Sequence, residues 1–119
     1  MMRYLFIAMA FLPFVLLSAQ GEAALEAYKL LEKKKYQQAA QSYEAMLDKG
    51  MVSADLHANV AWAYYHMDSL GRAILHLEKA VRLQPGHKQA TQNLVLMRNE
   101  QADGLPPVPV FSSKRGGNA

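Results

Sequence analysis

The 119 residues include no cysteine and a single tryptophan. Without a thiol there is no cysteine nucleophile, no lipid-modified lipoprotein N-terminus and no disulfide to staple the fold in an oxidising compartment. No serine sits in a nucleophile turn, and no glycine-rich phosphate loop is present. Carboxylate pairs such as Glu22 and Glu26 stand on expected exposed helix faces, where they are ordinary solvated charge. The histidines His57, His66, His76 and His87 never fall at i, i+4, so no metal site is expected, nor any other cofactor. Catalysis and a small-molecule substrate are therefore unsupported. Charge offers little help: the net of +3 includes Arg3, and the one basic cluster of the region expected to fold, Lys33-Lys34-Lys35, stands where a turn is expected. A solvated turn is the preferred reading there, over contact with an acidic partner or a lipid headgroup. With no extended basic stripe and no base-stacking motif, nucleic acid is not an expected partner.

One long apolar run is present, Tyr4 to Leu17, interrupted only by Pro13, preceded by Met1-Met2-Arg3 and followed by Ser18-Ala19-Gln20-Gly21. Basic, apolar and small-residue zones in that order predict a secretory signal peptide over 1–21, with cleavage after Ala19 or Gly21. An uncleaved membrane anchor is the alternative, although about 14 apolar residues fall short of the roughly 20 that cross a bilayer. Either way the rest of the chain, long enough for one domain, is expected outside the cytoplasm, in the periplasm or cell envelope.

What is abundant is helical periodicity. Leu56, Val60, Ala63, Tyr64 and Met67 form one apolar stripe, and Ile74, Leu77, Ala80 and Val81, with Leu70 a further candidate, form a second. Arg72, His76, Glu78, Lys79 and Arg82 take the polar side of the second stripe. Between the two, Met67-Asp68-Ser69-Leu70-Gly71 is too short for anything but an antiparallel hairpin, and Pro85-Gly86 is expected to stop the second helix, the glycine serving as its cap. A shift of ~34 residues, a length among the periods of helical-repeat proteins, maps Tyr64, Ala73 and Leu77 onto Leu30, Ala39 and Tyr43, and Asn59-Val60 onto Asn93-Leu94. Ala61, Tyr64, Ala73, Leu77, Ala80 and Pro85 stand in the register of a tetratricopeptide repeat, which this segment resembles. Small residues at 61, 73 and 80 let the helices approach closely.

The expectation is therefore an all-α fold of antiparallel helix hairpins, a tetratricopeptide array of about two and a half repeats over 22–101. Its first repeat covers about 22–51, with Leu25, Tyr28 and Leu31 on the first helix and Tyr36, Ala39, Ala40, Tyr43 and Leu47 on the second. That repeat departs from the pattern at Glu26, at Lys34 where a turn glycine is usual, and at Met51 where the proline would fall, though Gly50 can cap its second helix. The second repeat covers about 54–87. A capping helix follows at about 87–101 with Ala90, Leu94 and Met97 inward, and 102–119 is a proline-rich tail, expected to be disordered. Taken together, the signal peptide, the Tyr36–Leu47 helix, SLGRAILHLEKAVRLQP and the proline-rich exit resemble the N-terminal part of BatE-type proteins of Bacteroidota aerotolerance operons. The resemblance implies an envelope protein whose repeats bind other proteins, encoded beside von Willebrand factor A-type membrane proteins and a MoxR-type ATPase. Longer members continue into membrane-spanning helices. A sequence stopping at Ala119 is then expected to be a truncated member, a fragment or a stand-alone version.

The same resemblance implies a concave groove lined by the first helix of each hairpin. Its candidate residues are Tyr28, Asp55, Ala58, Asn59, Trp62, Tyr65 and His66, while Ala39, Tyr43, Ala61, Tyr64, Ala73, Leu77, Ala80 and Pro85 are repeat-structural. Trp62 lies off the apolar stripe of its own helix, so burial within the hairpin does not account for it, and a large aromatic in a concave position is a typical binding anchor. The alternative is that Trp62 and Tyr65 pack on a neighbouring repeat or on the tail. The lysine and arginine that grip a terminal carboxylate in some such repeats are missing from the matching positions. The expected function is thus a protein-binding adaptor, or else a self-assembling structural piece pairing through exposed repeat flanks.

Overall fold

The computed structural model describes residues 21–104, which are all-helical. The signal-peptide segment up to residue 20 and the proline-rich segment from 105 lie outside the described residues. The chain forms α1 (helical over 21–32), α2 (Tyr36–Asp48), α3 (Ala54–His66), α4 (Leu70–Leu83) and α5 (Lys88–Asp103). Helix α3 packs most extensively on α4 and next on α2, α4 packs on α5, and α3 also touches α5. The starts of α2 and α4, Tyr36 and Leu70, differ by the same offset as those of α3 and α5, Ala54 and Lys88, and it is the offset that relates Asn59 to Asn93. None of the described helices is long and apolar enough to cross a membrane.

Local chemistry sets the ends. Ser53 caps α3, its hydroxyl oxygen accepting from the Leu56 N–H at 3.1 Å. At α5 the cap is the His87 ring, whose Nδ1 accepts from the Ala90 N–H at 3.1 Å. Helices α1, α2 and α3 stop in one way. Lys34, Gly50 and Asp68 take left-handed backbone (φ 61°, 85° and 58°), and the following amide reaches back to a carbonyl five residues earlier: Lys35 to Leu30, Met51 to Met46 and Ser69 to Tyr64. Only Gly50 does so without crowding a Cβ. The glycine expected in the second turn, Gly71, lies inside the first turn of α4, and Asp68 supplies the reversal instead. Nor does Gly86 cap α4. The helix ends on Gln84, whose carbonyl accepts from the His87 N–H at 3.0 Å, closing a tight turn over Pro85 and Gly86. Helix α5 continues through Ala102 and Asp103, expected in the tail, because Gly104 is the first residue that stops it.

The core is alanine-rich where helices cross and filled between crossings by Leu31, Tyr43, Met46, Val60, Leu77, Leu94 and Met97. Ala39, Tyr43, Ala61, Tyr64, Ala73, Leu77 and Ala80 are all buried, and Pro85 is exposed. The apolar face of α1 differs from the expected one. Leu25 is 54% exposed, and Ala24, Ala27, Leu30 and Leu31 turn inward instead. The packed face of α1 passes through Ala27, which stands to the buried Ala61 by the same offset, so Leu25 is carried out to solvent. Helix α3 is buried on nearly every side, since Ala54, His57, Ala58 and Ala61 add to the stripe of Leu56, Val60, Ala63 and Tyr64. Ala58 therefore offers no binding surface, contrary to expectation. His76, expected among the exposed charges of α4, is also buried.

Candidate functional site

Exposed aromatic surface gathers on one side of α1 and α3. Tyr28 and Trp62, at matching positions of these two helices, are 46% and 40% exposed. Together with Asn59 they line a cleft of about 190 Å³, completed by Leu31 and Glu32 from α1 and Gln89 from α5. All six lining residues come from α1, α3 and α5, and none from α2 or α4. The lining holds one carboxylate, Glu32, and no cation. Beneath it lies the buried Tyr43 hydroxyl, which approaches Asn59 without forming a hydrogen bond; burial pushes its pKa up to about 12.

Beside the cleft, Trp62 is held by aromatic neighbours. The Tyr65 ring lies 6.1 Å from it at 26°, and the His66 ring meets it edge-on at 4.5 Å. His66 is in turn stacked on Tyr36 at 4.4 Å and 11°. Tyr65 is only half-exposed, and its hydroxyl donates to Glu100 at 3.0 Å, a bond that raises its pKa and ties α3 to α5. Asp55, a groove candidate from the sequence, is not in the cleft. Because His87 Nδ1 is occupied as the acceptor at the α5 cap, its Nε2 carries the proton and donates to Asp55 at 2.6 Å. Of the candidates other than Ala58, the fold brings Tyr28, Asn59 and Trp62 to one cleft, sets Tyr65 and His66 against the Trp62 ring outside the cleft lining, and uses Asp55 to fasten α5. Leu31, Glu32 and Gln89 were missed by sequence reasoning. Their signal is the constant offset running through α1, α3 and α5, which maps Leu31, Glu32 and Gln89 onto the groove candidates Tyr65, His66 and Asp55.

A second constellation had no signal in the sequence. His57 and His76, 19 residues apart, meet inside the α3–α4 hairpin with their Nδ1 atoms 2.9 Å apart. Glu44 from α2 lies 3.0 Å from His76 Nε2 and accepts from the Tyr64 hydroxyl at 3.0 Å on the same oxygen. The carboxylate can only accept, so His76 carries its proton on Nε2 and His57 donates from Nδ1 to His76 Nδ1. Burial chiefly lowers both histidine pKa values. At His57 the neighbouring His76 and Lys79 add to that and Glu44 opposes it; at His76, Glu44 opposes and Lys79 adds. Burial, and then the bond to Glu44, raise the pKa of Tyr64. Among the described residues no group of three or more His, Asp or Glu is placed to hold a metal ion. Compared with protein-family models and with curated proteins, the chain finds no match in either.

Proposed function

We propose that the chain is a non-catalytic adaptor built as a tetratricopeptide array, binding a segment of a partner protein in the cleft around Trp62. The supporting observation is that exposed aromatics on consecutive odd-numbered helices, Tyr28 and Trp62, open onto one cleft whose lining avoids α2 and α4. The constant offset between helix starts, and between the left-handed turn residues Lys34 and Asp68, supports the repeat architecture. The cleft takes one inserted side chain rather than a whole ligand, and Glu32 at its edge favours a neutral or basic segment. In this proposal the protein works in the bacterial envelope, with von Willebrand factor A-type membrane proteins as partners, as the resemblance to BatE-type proteins implies.

A second reading is favoured by α5, where the adjacent Val95 and Leu96 are 57% and 61% exposed. Such a flank would suit a structural module that associates with copies of itself. One experiment separates the two. Envelope crosslinking and pull-down with the full chain and with Trp62→Ala, read by mass spectrometry, is expected to recover membrane partners with the first and lose most of them with the second. Capture undiminished by Trp62→Ala in a folded variant removes the cleft from the proposal, and recovery of the chain alone favours self-assembly.

A further inference from the structure

A separate cavity, of about 260 Å³, opens where α3 begins and α4 ends. It is lined by Val52 from the loop before α3, His57 from α3, and Lys79, Arg82 and Leu83 from α4, and shares no residue with the Trp62 cleft. Its walls combine three properties. Val52 and Leu83 are large apolar side chains left 57% and 50% exposed. Lys79 and Arg82 are both exposed, and among the described residues neither has a carboxylate within ion-pair distance. His57 is 6% exposed, and with Nδ1 committed to His76 its one open nitrogen is Nε2, which has no protein partner among the described residues and is not sealed from solvent.

The Glu44–His76–His57 chain decides what Nε2 presents. Glu44 holds the His76 proton on Nε2, His76 Nδ1 then accepts from His57 Nδ1, and a lone pair is left on His57 Nε2. The helix dipoles oppose one another at this spot, since the positive start of α3 lies beside the negative end of α4. The two cations therefore set the sign of the field, and an anion is the ligand they favour.

We propose that this cavity binds a small free carboxylic acid with a short hydrocarbon tail. Lys79 and Arg82 meet the carboxylate, and Val52 and Leu83 cover the tail beside the open edge of His57. The cavity is smaller than the roughly 300–1,000 Å³ typical of pockets for drug-sized ligands, which limits the tail to a few carbons and disfavours a peptide terminus with its bulkier backbone.

The test is an NMR titration of the full chain with hexanoate, with hexanol, hexylammonium and a short peptide ending in leucine as comparators. Hexanoate is expected to shift the amides of Val52 and Leu83 and the ring nitrogens of His57 saturably, while hexanol and hexylammonium leave them in place. A Lys79→Gln/Arg82→Gln variant, altered only at exposed side chains, is expected to bind hexanoate about tenfold or more weakly, a tenfold change being about 1.4 kcal/mol. Equal shifts with hexanol, or undiminished binding by the double variant, would overturn the proposal. Tighter binding of the peptide than of hexanoate would overturn the free-acid assignment.

Discussion

Glu44 accepts two hydrogen bonds on one oxygen, from Tyr64 and from His76, and behind His76 stands a second buried imidazole. Burial disfavours a charged ring, and only one proton fits between the two Nδ1 atoms, so the folded pair resists taking up more. The groups facing it are Glu44 from α2, Tyr64 from the same helix as His57, and Lys79 from α4, with Arg72 lying 5.6 Å over the Tyr64 ring. Both histidine pKa values are lowered in the folded chain, so the unfolded chain binds more protons as pH falls below its ordinary histidine value of about 6.5. The stabilisation is complete above that pH and lost as pH falls through the folded values. Thermal unfolding between pH 7.5 and 5 is expected to show stability falling by up to about 1.4 kcal/mol per pH unit for each of the two protons. In His57→Asn, which keeps an N–H near the Nδ1 position, the slope is expected to be roughly halved. An unchanged slope would place the acid sensitivity elsewhere. None of this was legible beforehand, because the spacing of 19 residues between the two rings follows no helical period.

At the scale of the helices, the turns carry the plainest consequences. Lys34 holds a left-handed backbone that costs an L-residue with a Cβ roughly 1 kcal/mol. Gly71 stands inside α4 with nothing within 4 Å of where a Cβ would point. Lys34→Gly and Gly71→Ala are each expected to stabilise the chain by about 0.5–1 kcal/mol, read as a raised urea midpoint at unchanged slope. Destabilisation by Lys34→Gly would mean that the lysine side chain makes a contribution its exposed position does not reveal. The departure of Lys34 from the repeat pattern was visible in the sequence; its backbone strain was not, because it depends on where α1 stops. The inward face of α1 was misassigned for a related reason. Leu25, Tyr28 and Leu31 have good helical spacing, yet the neighbours of α1 select Ala27 and Leu31 as the packed line.

For the molecule as a whole, stability is concentrated at α3, which is buried against the helices on both sides in sequence. Helix α5 buries only Ala90, Leu94 and Met97, and is otherwise fastened by polar ties at exposed positions: Tyr65 to Glu100, Asp55 to His87, and Glu78 to Arg98 at 2.7 Å. Such surface ties each contribute about 1 kcal/mol or less and weaken with salt. Hydrogen exchange is therefore expected to show α5 opening well before α3 and α4, with the gap widening at high ionic strength. Uniform exchange across all the described helices would indicate a single cooperative unit.

Where the helices lie follows from the order of the residues alone. Apolar periodicity, small residues at the crossings and Pro85 as a stop are local features, and they place the two central hairpins and the helix after them to within a few residues. Which side chains share a site depends instead on how the helices pack. Tyr28 and Trp62 reach one cleft because α1 and α3 are laid alongside with matching positions facing the same way. It is the hairpin crossing of α3 and α4, and the approach of α2, that bring His57, His76 and Glu44 together. Contacts within a helix repeat with its period and can be read along the chain, whereas contacts between helices depend on rotation about each axis, which the whole packed core sets at once.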